Sequence, residues 1–143
     1  MLSGWSSIMI NNPYLTCLEQ KWLSIIWDIS FPYKKQMQRQ IEVAKLSREY
    51  TPYYKFLNFD VPKNLPPLPH LYRVPIEVWV HHKDEDEYDE TEKIIAPTEF
   101  LLHVIDGYVN QLEIYNADSS NMELNNICKG RREYKLNFKI YGQ

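Results

Sequence analysis

The chain is poor in the residues that usually carry chemistry. Its 143 residues include four glycines and two cysteines. Four scattered glycines leave no phosphate-cradling loop, and no GxSxG nucleophile elbow is present. Cys17 and Cys128 lie far apart and form no CxxC motif. Such a pair points to free thiols in a reducing cytoplasm, although spacing alone leaves pairing open. No apolar run is long enough for a transmembrane helix. The first dozen residues lack the basic and apolar regions of a signal peptide. HExxH, a calcium loop and a Cys–His–Asn arrangement are also missing, and adjacent His81 and His82 on a strand would point to opposite faces. The expectation is therefore no metal, no cofactor and no enzyme. A net charge of −3 argues against a general nucleic-acid binder or an anionic-membrane binder.

What is present is a foldable single domain spanning 1–143. Hydrophobic residues make up 44% of the chain, enough for a core without disulfide staples. Ile8, Met9 and Ile10 suggest a short edge strand. Thr16 followed three residues later by Glu19 is a capping box. Leu15, Leu18, Trp22, Ile25, Ile26 and Ile29 recur at helical spacing, which predicts a helix over 17–29. Pro32 interrupts it, and a second, polar helix is expected over 34–44. On that helix Lys34, Lys35 and Arg39 make a basic cluster, read as a solvated face.

Extended segments follow at 45–50 and 53–61. The stretch 62–69 holds four prolines and reads as a stiff connector. Residues 76–82 alternate Ile76, Val78 and Val80 against Glu77, Trp79 and His81, a strand signature. A polar, turn-rich loop precedes a last amphipathic strand at 132–141. The fold class is α+β, with one or two N-terminal helices packed on a mostly antiparallel sheet of five or six strands.

Asp106-Gly107, between two β-prone runs, predicts a hairpin closed by a type I′ turn. An unbroken ladder from that turn pairs Ile105 with Tyr108, His103 with Asn110, Leu101 with Leu112 and Phe100 with Glu113. His103 and Glu113 then lie on opposite faces. Neither face is cleanly polar, so cover on both sides is expected. Glu113 sits among apolar neighbours and needs a cation; Arg48 on an earlier strand is the expected structural partner. A catalytic or ligand-binding use of His103, Glu113 and Arg48 is the competing reading.

The acidity is concentrated in one loop. Lys83 to Lys93 contains seven acids and two lysines, so that stretch carries −5 and the remainder of the chain +2. Asp84, Glu85, Asp86, Glu87, Asp89 and Glu90 would steer a basic partner electrostatically, with Tyr88 or Trp79 as aromatic anchor. Nucleases are such partners, because surfaces that bind phosphate are positive.

Two stretches carry a family likeness. Arg48-Glu49-Tyr50-Thr51, then Tyr53-Tyr54-Lys55-Phe56-Leu57-Asn58-Phe59-Asp60-Val61-Pro62, is one. Asp106-Gly107 leading to Leu112-Glu113-Ile114-Tyr115 is the other. Both resemble patterns in a family of small bacterial proteins that includes immunity proteins of contact-dependent growth inhibition and polymorphic toxin systems. The likeness spans about residues 15–116. It implies a cytoplasmic inhibitor that occupies a cognate toxin domain; separately, a monomer with no direct contact to nucleic acid or membrane is expected. It supplies no catalytic residues to carry over.

Overall fold

A computed structural model describes residues 9–51, 54–69, 72–82, 97–116 and 134–142. These contain two helices, α1 (Cys17–Trp27) and α2 (Lys34–Glu42). Six strands follow: β1 (Lys45–Tyr50), β2 (Tyr54–Asp60), β3 (Ile76–His82), β4 (Thr98–Ile105), β5 (Tyr108–Tyr115) and β6 (Tyr134–Ile140). They form one antiparallel sheet in the order β1-β2-β5-β4-β3-β6. The expected α+β class is the observed one.

α1 begins as its sequence dictates. The Thr16 hydroxyl accepts from the Glu19 N–H, and the Glu19 carboxylate accepts from the Thr16 N–H. Each thus satisfies a backbone donor that the first helical turn leaves free. Its apolar stripe buries Trp22, Leu23, Ile25, Ile26 and Trp27. The Lys34 ammonium donates to the carbonyls of Trp27 and Ile29, so it caps the end of α1 and is not part of a solvated basic face. Ile10 forms no strand; its N–H and C=O are both held by the Gln20 side chain.

Both helices lie on one face of the sheet. That face contributes Leu57, Phe59, Ile76, Val78, Val80, Phe100, Leu102, Val104, Val109, Leu112 and Ile114 to the core. Gln40 of α2 fixes the hairpin to the helix layer. Its side chain donates to the Gly107 carbonyl at 3.0 Å and accepts from the Val109 N–H at 2.8 Å. The connector 62–69 is less extended than its prolines suggest, because Leu65 N–H turns back to the Pro62 carbonyl. Further on, Leu68 N–H bonds the Gly107 carbonyl at 2.7 Å.

The turn is the expected one, with Asp106 at φ 53° and Gly107 at φ 89°. The ladder beyond it is not. Val104 pairs with Val109, but His103 pairs with Gln111, so Asn110 is an extra residue in β5. A one-residue bulge reverses the facing of every later side chain. Leu101 therefore pairs with Glu113 and Phe100 with Ile114, which corrects the register expected from an unbroken ladder. The correction separates the faces cleanly: Phe100, Leu102, Leu112 and Ile114 go to the core, and Leu101, His103, Glu113 and Tyr115 go to the other side.

Candidate functional site

The face of the sheet away from the helices is the most distinctive surface of the described residues. It carries Tyr54, Phe56 and Asn58 from β2, and Gln111, Glu113 and Tyr115 from β5. β4 adds Glu99, Leu101 and His103; β3 adds Glu77, Trp79 and His81. All of these are half-buried. A solvated sheet face normally shows short polar or charged side chains. Here large rings alternate with carboxylates, and at the β6 edge Lys139 stands opposite Glu77.

The rings are ordered against one another. Tyr54 stacks on Phe56 with centroids 5.2 Å apart and lies 4.8 Å from the Tyr115 ring. Tyr54 and Tyr115 are cross-strand partners, which is what brings the rings together.

Carboxylates line the same face. Glu113 accepts from Nε2 of His103 at 2.8 Å. Glu77 accepts from the Tyr141 hydroxyl at 2.5 Å, and this bond raises the Tyr141 pKa. Glu99 sits between them in register: Leu101 pairs both Glu77 and Glu113, and Glu99 pairs Trp79 and Tyr115. Burial raises the Glu99 pKa, and the negative charges of Glu77 and Glu113 raise it further. Nδ1 of His103 is buried and has no hydrogen-bond partner.

Arg48 is not on this face. It pairs with Leu57 across β1 and β2, and Leu57 pairs with Leu112, so Arg48 projects toward the helices. There its Nη2 lies 2.7 Å from the Glu19 carboxylate, its Nε bonds the other carboxylate oxygen, and Nη2 also donates to the Tyr14 carbonyl. The expected Arg48–Glu113 ion pair is therefore replaced by two separate pairs, Arg48–Glu19 and His103–Glu113. The parity of the strands explains it: in β2 and β5 the partners of Arg48 are core residues, and Glu113 is one step out of phase. Among the described residues His103 and Glu113 lie on one face of the sheet and Arg48 on the other, so the three do not share a pocket there. Arg48 lines a groove with Asn12, Pro13, Tyr14, Val43 and Leu46, on the helix side of the sheet.

Neither a protein-family model, nor a curated protein, nor a solved structure matches this chain. The site must be read from its own residues.

Trp79 stands half-buried on the open face. Asp84, Glu85, Asp86, Glu87, Tyr88, Asp89 and Glu90 lie outside the described residues, as does Cys128. Cys17 is an exposed free thiol. Among the described residues no group of three or more His, Cys, Asp or Glu side chains is arranged to hold a metal ion. Among the described residues no helix is long and apolar enough to cross a membrane. Sequence reasoning missed Tyr54, Phe56, Glu77, Glu99 and Tyr115 as one surface. The period-two pattern of each strand was visible; the order of the strands, which sets them side by side, was not.

Proposed function

We propose that the protein is an immunity protein that binds a cognate toxin domain and neutralises it by occlusion, without chemistry of its own. The open sheet face is its docking surface. The observation that carries this reading is the combination of Tyr54, Phe56, Trp79 and Tyr115 with Glu77, Glu99 and Glu113 on one face. Half-buried aromatic rings supply contact area at small entropic cost, and the acids between them select a cationic surface. Glu99 favours a cationic partner most directly: burial raises its pKa, the charges of Glu77 and Glu113 add to this, and an arriving Lys or Arg would offset both. A nuclease fits, because its substrate-binding surface is positive. The acidic stretch that follows β3 in sequence would add long-range steering. The family likeness of 48–62 and 106–115 points the same way.

The test is titration of the purified chain against the C-terminal toxin domain encoded beside it. Phe56→Ala and Tyr115→Ala are expected to weaken binding at least about tenfold while leaving the fold intact. Glu99→Gln should slow association at low salt and matter little at high salt. Absence of binding would refute the immunity reading. Binding that ignores all three substitutions would remove the sheet face from it.

A further inference from the structure

We propose that the free edge of β1 is a self-association surface, on which two copies of the chain pair antiparallel about a two-fold axis through Ser47. This inference stands without the toxin reading.

Among the described residues β1 is an edge strand of the sheet, and five of its six residues are exposed. Proteins usually blunt such edges with proline, a bulge or unpaired charge. β1 has neither proline nor bulge: its ladder to β2 runs without interruption from Lys45↔Asp60 to Tyr50↔Lys55. Its two charges left unpaired among the described residues, Lys45 and Glu49, are of opposite sign, so between antiparallel copies they attract and do not guard the edge. Arg48 does not guard the edge, because it is drawn back to Glu19.

The direction of the edge groups follows from the hairpin. Thr51 N–H donates to the Tyr54 carbonyl at 2.8 Å, which makes 51 and 54 a hydrogen-bonded pair. In an antiparallel ladder such pairs alternate, so Lys45, Ser47 and Glu49 bond toward β2. Leu46, Arg48 and Tyr50 point their N–H and C=O groups outward. The row ends at Ala44, whose carbonyl already accepts from Asn12 at 3.0 Å.

Only registers that oppose even residues to even residues complete this ladder. Centring on Arg48 sets two guanidinium groups against each other. Centring on Leu46 leaves Glu49 without an opposing charge. Centring on Ser47 places Leu46 opposite Arg48 of the second copy, with two backbone bonds in each such pair. It also places Lys45 opposite Glu49 of the second copy, twice. These fall at the close, non-hydrogen-bonded positions, where opposite charges interact best. Among the described residues neither Lys45 nor Glu49 has an ionic partner within the protein.

The helix-side groove under this edge matches the arrangement. It measures about 480 Å³ and is lined by Asn12, Pro13, Tyr14, Val43, Leu46 and Arg48 among others. Tyr14 and Val43 are 74% and 50% exposed, an uncovered apolar rim that Leu46 of the second copy would meet. One strand pair with such a groove buries less than about 1,000 Å², so the association is weak and the chain is monomeric when dilute.

The experiment is sedimentation velocity across a concentration series reaching about 500 µM, a range suited to a weak interface. The wild-type chain should dimerise. Lys45→Glu and Glu49→Lys should each weaken the dimer about tenfold, since each sets like charges across both positions. An equimolar mixture of the two variants should recover association, because opposite charges again face each other. In a chain carrying Cys17→Ser and Cys128→Ser, Ser47→Cys should cross-link on oxidation and Lys45→Cys should not, since only position 47 meets itself. Circular dichroism checks that each exposed substitution folds. A chain that stays monomeric throughout overturns the proposal. So does a dimer that is indifferent to the charge reversals, or one that the mixture fails to restore.

Discussion

Glu19→Gln tests a side chain that ties two elements together. The Glu19 carboxylate is 2% exposed and serves two elements at once. It closes the capping box of α1 through the Thr16 N–H, and it receives Arg48 from β1 and the Tyr50 hydroxyl at 3.2 Å. A glutamine keeps the shape but turns one acceptor into a donor that faces the donors of Arg48. Breaking a fully buried pair costs about 3–5 kcal/mol. Arg48 is 32% exposed, so water recovers part of its solvation, and about 2 kcal/mol is expected here. For a chain of this size that is about 1 M in the urea midpoint, or roughly 6–8 °C in Tm.

The acid dependence of Glu19→Gln has a definite sign. Burial pushes the Glu19 pKa up, but the Arg48 and Thr16 hydrogen bonds and the Arg48 charge together hold it below the usual carboxylate range. A depressed folded-state pKa contributes stability above the unfolded value and loses it as pH falls through the folded value. Glutamine does not titrate. The gap between wild type and Glu19→Gln should be full at neutral pH and should close as the pH falls through the lowered pKa of Glu19. Equal urea midpoints at neutral pH would refute the energetic reading. A gap that stays constant into acid would refute the assignment of the depressed pKa to this site.

Two further substitutions probe how the hairpin is held. Gly107→Ala places a Cβ 2.6 Å from Pro67 Cβ and 3.0 Å from the Leu68 carbonyl oxygen, at φ 89°. Left-handed strain and the clash with the connector together should lower stability by about 2–4 kcal/mol, read by urea unfolding. Gln40→Ala removes the acceptor of the buried Val109 N–H and the 3.0 Å donor to the Gly107 carbonyl. A loss of about 2 kcal/mol is expected, together with faster hydrogen exchange at Val109 than in wild type.

Most elements were legible because a local rule sufficed for each. Thr16 and Glu19 announce the start of α1 by their spacing. Asp106-Gly107 announces a turn with two positive φ angles, and the alternation of 76–82 is the strand that forms. Arg48 and Glu19 show where such rules stop. Each is clear within its own segment, Arg48 on a strand and Glu19 in a capping box. That one carboxylate does both jobs depends on β1 crossing the N-terminus of α1, a long-range fact that neither segment encodes. Lys34 fails for the same reason: its helix looks amphipathic and solvated, but the carbonyls at the end of α1 lie within reach of its ammonium.

The bulge at Asn110 links the fold to the candidate site. With an unbroken ladder, Glu113 and Tyr115 would share a face with Phe100 and Leu102, and a carboxylate would enter the core without a cation. One extra residue moves Glu113 beside His103 and Tyr115 beside Tyr54, and it sends Leu112 and Ile114 inward to Leu102 and Phe100. The hydrophobic pattern supports that choice: Leu112 and Ile114 are the residues of their segment with most to gain from burial, and Phe100 and Leu102 are theirs. Matching those two pairs across β4 and β5 requires a shift of one residue between the turn and position 111. The acidic and aromatic character of the open face is therefore a consequence of satisfying the core. The residues that the core cannot accept are the ones left to form the open face.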